Sequence, residues 1–259
     1  MEKKLKSNIE IITIDDFDGL LQTINENYAY WPNYIFRGQG QSDWLLEPTL
    51  TRILKKIEYK NKDILIKEHL NKFSLDIRGR RGQNPKQLIE NELWALGQHY
   101  GLHTPLLDWT QSPYVALFFA LAGIEESSTG YSTLWALHCS DIEHINEFYK
   151  KKYKENEKWI VELINPLLDE NGRLVNQNGL FTKINHQNHI ENWVEKGPNF
   201  DWITLSRMNI SNKVKEEGLF FLNLMNINYS TLFPDLFGSS MNTNNILEQT
   251  DYILKKQGK

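Results

Sequence analysis

Residues 113–122 restrict the fold more than any other segment, because they are apolar on every side of the helix that they predict. The segment reads PYVALFFALA and carries no charged residue. A surface helix needs a polar face, so other elements must cover this helix all round. Ser112 can cap its free amide groups, and Pro113 fits a first helical turn, where its missing N–H costs nothing. We therefore expect a central buried helix with a rigidly held N-terminus.

The elements predicted around this helix mix strands with helices. Periodicity and Gly or Pro breakers indicate strands at 9–14, 33–37, 131–138, 173–184 and 202–205, helices at about 15–27, 60–74, 86–100 and 212–224, and a helix or a pair of helices at 141–163. The first strand is expected at a sheet edge, a glycine bulge interrupts 173–184, and 233–238 is typical of a turn-rich closing segment. Strands and helices do not alternate strictly, which favours an α+β architecture over a doubly wound sheet.

Length and composition bound the class of protein. The 259 residues suit one large domain, or one domain with an appendage. The single cysteine, Cys139, cannot form an internal disulfide, so a reducing compartment is the simplest assumption. The longest apolar run, 114–122, falls far short of the ~20 residues of a membrane span, and the first residues lack a signal peptide's apolar block. We expect a cytoplasmic protein without a membrane partner.

Charge is distributed unevenly along the chain. The segment 51–86 holds eleven Lys and Arg residues against four acidic residues, so it carries +7 while the rest of the chain carries −11. Such a patch concentrates phosphate-bearing ligands or nucleic acid. The alternative is a solvated helix face followed by a basic loop. Both interpretations remain open at this point.

Two segments carry most of the polar functional groups. Residues 99–113 form the densest cluster, directly before the apolar helix, and residues 33–40 predict a strand that brings Arg37 to a loop with two glycines. Arg37 could bind phosphate through its planar fork or form an ion pair with Asp108 or Asp43. His99 could act as an acid or base, pair with Asp108, or be an ordinary buried histidine.

The other candidates also have two interpretations. Ser112 could offer an anion site at the start of the helix or only cap it. Trp109 could stack on a ligand ring or belong to the core. Gln177 cannot act as a base, but its amide could orient a ribose. Asp108 is expected to be buried in its LLDW setting and to bond to the nearby glycine loop.

Four stretches resemble the bacterial FRG domain family: FRGQGQSDWLLEPTLTR at 36–52, QHYGLHTPLLDWTQSPYVALFFA at 98–120, RLVNQNGLFT at 173–182 and NINYSTLFPDLFG at 226–238. The resemblance covers about 30–240 and implies a single FRG-type domain over 1–259, with a helical basic insertion at about 51–86. Within the second stretch, His103 and Pro105 stand where the family commonly has Pro and Arg.

FRG domains in turn resemble the ADP-ribosyltransferase fold, a split mixed β-sheet that clamps NAD. The resemblance implies that fold here, with the central buried helix and peripheral helices. It places Arg37 at the first motif, Trp109, Thr110 and Ser112 at the second, and Gln177 at the third. The resulting site has Arg37, His99 and Gln177 as catalytic residues and Arg37, Gly38, Gln39, Asp108, Trp109, Thr110 and Ser112 as cofactor-binding residues. No metal ligands are predicted, because the histidine pairs lack third and fourth partners.

Two functions follow from these residues and this resemblance. The first is an NAD-dependent ADP-ribosyltransferase, a bacterial toxin or phage-defence effector that modifies RNA or DNA through the basic segment and requires a neutralising antitoxin protein. The second is a catalytically silent module that binds a nucleotide or nucleic acid, favoured by Pro105 and by the absence of an evident catalytic Glu. An NAD hydrolase without an acceptor is a third possibility.

Overall fold

The computed structural model describes residues 2–29, 33–124, 129–153, 157–166 and 176–258. The strands in these residues are β1 (Glu2–Lys6), β2 (Ile9–Ile14), β3 (Tyr34–Gln39), β4 (Leu106–Thr110), β5 (Tyr131–His138), β6 (Val161–Ile164), β7 (Gly179–Ile184) and β8 (Leu205–Ser211). The helices are α1 (Phe17–Tyr28), α2 (Thr49–Leu54), α3 (Lys62–Asp76), α4 (Glu90–His99), α5 (Pro113–Ala122), α6 (Ser140–Tyr153), α7 (Ile190–Glu195), α8 (Lys215–Leu224), α9 (Tyr229–Leu232), α10 (Leu236–Glu248) and α11 (Thr250–Lys256). The predicted α+β class is confirmed.

All these strands belong to one mixed sheet with the order β1-β2-β8-β5-β3-β4-β7-β6. Only β2 and β8 pair in parallel, and the other neighbours are antiparallel. β3 and β4 share a single residue pair, Phe36 with Thr110. The sheet thus consists of a five-stranded part and a three-stranded part that meet at one point. Nothing in this topology by itself identifies the ADP-ribosyltransferase fold.

The central helix α5 packs on the five-stranded part, as the sequence predicts. Ser112 caps it, since its Oγ accepts from the amide of Val115 at 3.3 Å, and Pro113 occupies the first turn. Most of the helix is buried, including Ala116, Leu117 and Leu121. At Gly38, in the middle of β3, a Cβ would collide with the carbonyl oxygen of Ala116. The absence of a side chain at Gly38 therefore lets the helix backbone approach the strand directly.

Several predicted boundaries were wrong. The strand Ile9–Ile14 lies inside the sheet between β1 and β8, because the charged segment Glu2–Lys6, which has no strand signal, forms the edge. The helix predicted from about 15 begins at Phe17 behind Asp16, whose carboxylate accepts a 2.7 Å hydrogen bond from the amide of Gly19. The helix predicted from 86 begins at Glu90 instead.

Differences of the same kind occur in the second half of the chain. The helix predicted over 141–163 ends at Tyr153, and Val161–Ile164 pairs with β7 as a strand. The strand predicted at 202–205 lies at Leu205–Ser211. The closing segment contains helices from Leu236 to Lys256, where many polar residues obscure the helical periodicity. The predicted residues 167–175, including the first part of the bulged strand, lie outside the described residues.

The basic segment 51–86 covers the end of α2, the whole of α3 and the loop that follows. Its buried side chains, among them Leu54 and Leu70, join Trp94 of α4 in a separate core cluster. Most of its basic side chains are exposed: Arg52, Lys55, Lys56, Lys60, Lys67, Lys72, Arg78, Arg80 and Lys86. The segment is therefore anchored on its apolar face and presents positive charge to solvent.

Candidate functional site

A cavity of about 530 Å³ lies where β3 and β4 diverge. We call it the Arg37 cavity. Because the two strands share only the Phe36–Thr110 pair, the backbone on either side of that pair is free to separate. The volume falls within the range of about 300–1,000 Å³ that is common for small-molecule sites. Seven of the predicted site residues line it: Arg37, Gly38, Gln39, Asp108, Trp109, Thr110 and Gln177.

Arg37 spans the gap between the two strands. Its Nη1 donates to the backbone oxygen of Asp108 at 2.7 Å and lies 3.5 Å from the Asp108 carboxylate, while its Nε is buried without a hydrogen-bond partner. Burial lowers the pKa of the guanidinium, the Asp108 charge raises it, and the like charge of Arg52 lowers it. The ion pair with Asp108 that the sequence offered as an alternative is present, and Asp43 is not the partner in it.

Asp108 differs from its prediction. Its side chain is 60% exposed, because it points away from the buried face of β4 that carries Leu107 and Trp109. It contacts Arg37 and also accepts a 2.9 Å hydrogen bond from Gln98. The expected bond to the glycine loop is replaced by these two contacts. Asp108 thus stands at the opening of the cavity as a solvated carboxylate.

The predicted cofactor-binding residues on β3 have contacts within the protein. Gln39 is buried, accepts from the Trp135 indole at 2.7 Å and donates to the backbone oxygen of Leu45 at 3.2 Å. Gly38 faces the backbone of α5, as described above. Both residues line the cavity, but these contacts give each of them a structural role in shaping it.

The predicted cofactor-binding residues at 109–112 also make contacts within the protein. The indole of Trp109 is buried in the core and donates to Thr182 at 2.8 Å, which matches the core interpretation. Thr110 donates to the backbone oxygen of Gln177 at 2.6 Å and accepts from the amide of Ser112. Ser112 caps α5 and does not line the cavity. These hydroxyls fix the backbone around the site.

Gln177 and His99 lie in different places. Gln177 is in a turn before β7, lines the cavity, and donates from its amide to the Leu232 oxygen at 3.1 Å. His99 ends α4, has its ring centroid 4.7 Å from that of Tyr100, and does not line the cavity. The structure therefore brings Arg37 and Gln177 together and leaves His99 outside.

The sequence interpretation missed two charged residues of the cavity, Glu47 and Arg52. The Glu47 side chain is 7% exposed and forms an ion pair with Lys55. Arg52 begins the basic segment and donates to the Thr49 hydroxyl at 3.1 Å. The signal for Glu47 was a single acid in the apolar stretch WLLEP, and no signal distinguished Arg52 from the other basic residues.

Aromatic side chains, also missed by the sequence interpretation, complete the wall. Trp44, Phe119 and Phe233 come from three different parts of the chain and line the same cavity. The cavity therefore combines apolar rings with two arginines and two carboxylates. Among the described residues, no group of three His, Cys, Asp or Glu side chains could hold a metal ion.

Comparison with known proteins gives one positive result. Residues 32–129 match the family model described as FRG domain, and they include both β3 and the 106–122 strand–helix unit. No curated protein and no solved structure matches the chain. In the part of the chain that the structure describes, no helix has both the length and the apolar character that crossing a bilayer requires. The chain is therefore similar to the FRG domain family over residues 32–129.

Proposed function

We propose that the protein is an NAD-dependent ADP-ribosyltransferase whose cofactor binds in the Arg37 cavity. The observation that carries the proposal is that Arg37 of β3 and Arg52 of α2 line one cavity. The pKa of Arg37 is lowered mainly by burial, and the like charge of Arg52 adds a smaller lowering. Two like charges held together favour an anionic ligand between them. A diphosphate provides oxygens for two guanidinium forks at once.

The remaining walls fit the other parts of a dinucleotide. Trp44, Phe119 and Phe233 offer apolar and aromatic surface for flat rings. The Gln177 side chain lies at the same cavity, and its amide oxygen can accept from a ribose hydroxyl while the amide nitrogen stays on the Leu232 carbonyl.

When bound, NAD supplies the bond between nicotinamide and ribose, and positive charge develops on the ribose as this bond breaks. The carboxylates of Glu47 and Asp108 are the negative groups of the cavity. Glu47 is the better placed of the two to act electrostatically, since its side chain is 7% exposed whereas that of Asp108 is 60% exposed. Charge interactions are stronger where water is excluded. We assign to Glu47 the stabilisation of the ribosyl charge.

The basic segment favours nucleic acid, RNA or DNA, as the acceptor. Nine of its eleven basic side chains are exposed, and Arg52 connects the segment to the cavity. Clustered basic side chains bind phosphate backbones without reading sequence. An enzyme of this kind would act as a toxin or phage-defence effector and would need an antitoxin protein in its own cell.

The test is transfer of label from NAD to separate pools of DNA, RNA and protein. We expect transfer to nucleic acid by the wild type and a loss of at least about tenfold in NAD affinity for Arg37→Ala, since charged hydrogen bonds contribute about 1.5–3 kcal/mol. Arg37→Lys keeps the charge without the fork and should be intermediate. Arg80→Ala, which removes an exposed charge outside the cavity, should leave NAD affinity unchanged. Equal NAD affinity of wild type and Arg37→Ala would contradict the proposal.

A silent binding module is the second candidate. It is favoured by the internal hydrogen bonds of Gln39, Thr110 and Gln177, which use these groups to hold the protein itself. NAD that binds in an Arg37-dependent way without turnover would support this candidate. Release of nicotinamide with all pools unlabelled would instead indicate an NAD hydrolase.

A further inference from the structure

A second cavity, of about 500 Å³, lies at the other end of β3, where Tyr34 pairs with His138 of β5. We call it the Asp141 cavity. It shares no lining residue with the Arg37 cavity. Nothing in the proposed ADP-ribosyl transfer uses it, so its role can be argued and tested separately.

Aromatic rings form much of its wall. The rings of Tyr28 and Tyr34 meet edge to face with centroids 5.0 Å apart, and Tyr34 lies 4.9 Å from the His138 ring. Trp202 adds a half-exposed indole stacked on Phe200 at 4.7 Å. Tyrosine and tryptophan faces carry negative electrostatic potential and attract cations.

A buried carboxylate lies against these rings. Asp141 is 1% exposed, and its oxygens accept from the Trp202 indole at 3.1 Å and from the Thr204 hydroxyl at 2.8 Å. His138 Nδ1 lies 3.1 Å from Asp141 Oδ1, but the arrangement does not make a hydrogen bond. Among the described residues, His138 is the one ionisable partner of Asp141, so the carboxylate has no permanently charged partner. Buried charges are normally compensated by an opposite charge.

A second acidic residue, Glu10 of β2, lines the cavity together with the histidines His138 and His144, and among the residues that the structure describes no lysine or arginine lines it. Burial, followed by the charges of Asp141 and Glu10, raises the pKa of Tyr34. For Tyr28, burial likewise raises the pKa, with smaller contributions from Tyr34 and Glu10. The two carboxylates therefore act on the same aromatic wall.

We propose that the Asp141 cavity binds a small organic cation, an ammonium group on a compact apolar body, with the rings around the cation and the carboxylates of Asp141 and Glu10 as counter-charges. The ligand supplies a permanent positive charge next to the buried carboxylate of Asp141. The volume of about 500 Å³ accommodates a small molecule and excludes a folded partner.

The test compares choline with dimethylbutanol, its neutral isostere in which carbon replaces the ammonium nitrogen. Binding to the wild-type protein is measured by calorimetry and by NMR shifts of the Trp202 indole. We expect choline to bind at least about tenfold more tightly than dimethylbutanol, because only choline gains cation–π contacts and the attraction of an opposite charge. Equal binding of the two probes, or no choline binding at all, would overturn the proposal. This comparison needs no variant, so it does not depend on how a substitution affects folding.

A pair of variants then locates the site. Glu10→Gln removes one counter-charge without a change of shape and should weaken choline several-fold while leaving dimethylbutanol unchanged. Glu143→Gln makes the same change on the exposed side of α6, outside the cavity, and should leave both probes unchanged. An equal loss of choline affinity in the two variants would place the binding elsewhere. NAD binding stays intact in both variants, which separates this result from the proposed transferase activity.

Discussion

The Arg37 cavity and the Asp141 cavity lie at opposite ends of one strand, β3, and differ in their charged groups. Two arginines accompany two carboxylates in the first, whereas the described lining of the second has carboxylates without lysine or arginine. Arg37 and Arg52 are the arginines of the first, and Asp141 and Glu10 are the carboxylates of the second. Burial disfavours a charge of either sign, because it lowers the pKa of Arg37 and raises the pKa of the Cys139 thiol, which follows His138 in the chain. Which charged groups each cavity holds is therefore set by the side chains that the fold brings to it.

The two ends of the strand also differ in how they are packed. At Gly38, the backbone of α5 lies directly on β3 and holds the Arg37 end open beside β4. At Tyr34, the rings of Tyr34 in β3 and Tyr28 in α1 meet edge to face and form part of the cavity wall. One end thus depends on the absence of a side chain and the other on large side chains.

The largest effect is expected from Gly38→Val. The Cβ of the valine would collide with backbone atoms of Ala116 and Ala120. These atoms can move aside only if the helix shifts away from the strand, which costs packing energy. We expect a loss of more than about 3 kcal/mol in the free energy of unfolding, measured by urea denaturation. As the control, Gly19→Ala in α1 meets only the Asp16 side chain at 3.2 Å and should change stability little or raise it slightly. A stable Gly38→Val protein would show that the close approach of α5 is dispensable.

The second prediction concerns the rate at which the Cys139 thiol is alkylated. Burial raises the pKa of its thiol to about 11, so the reactive thiolate is scarce at neutral pH. At about pH 8 we expect iodoacetamide to alkylate the folded protein roughly a hundredfold more slowly than the urea-unfolded chain. The rate should climb about tenfold for each pH unit until the pKa is approached. A rate equal to that of the unfolded chain, levelling off above about pH 9, would mean that the thiol is solvated.

Asp141→Asn should have the next largest effect. Either orientation of the amide places a nitrogen where a carboxylate oxygen accepts from the Trp202 indole at 3.1 Å, and one of the two orientations also loses the bond from Thr204. Unsatisfied buried donors cost about 1–3 kcal/mol, which should exceed the gain from removing a buried charge. Asp16→Asn is the matched control, because Asn caps helices as well as Asp does. If Asp141→Asn were as stable as the wild type, the carboxylate would not be held by these donors.

The buried framework could be predicted from the sequence more fully than the site. An unbroken apolar segment behind Ser112 and Pro113 can only become a capped, buried helix, and the structure confirms it at Pro113–Ala122. The edge strand Glu2–Lys6 could not be predicted, because its stability comes from pairing with β2 and not from its own residues. The local sequence pattern therefore predicts an element that is buried on all sides. It does not predict a strand that forms only because a neighbouring strand pairs with it.

The same reasoning explains the outcome at the Arg37 cavity. Arg37 and Asp108 stand in recognisable segments, so their proximity could be anticipated, and the structure joins them. Glu47 and Arg52 enter the cavity because the chain after β3 is held by the packing of Leu50 and Leu54 of α2 in the core cluster that contains Trp94, which no local periodicity encodes. The exposure of Asp108 was missed because a strand that carries Leu107 and Trp109 on its buried face can still present its other face to water.

The smallest effect is expected from Asp108→Asn, which tests how the charges of the Arg37 cavity act on an anion. Asp108 lies 3.5 Å from Arg37 Nη1 and competes with any anion for that guanidinium. Asp108→Asn should therefore tighten the binding of inorganic pyrophosphate about two- to threefold, a modest change because the carboxylate is exposed and screened. Asp76→Asn is a matched control, since the Asp76 side chain is 62% exposed and its lysine partner lies outside the cavity. Calorimetric titration of both variants decides the point. Weaker pyrophosphate binding by Asp108→Asn would mean that the carboxylate positions Arg37 for the anion and does not compete with it.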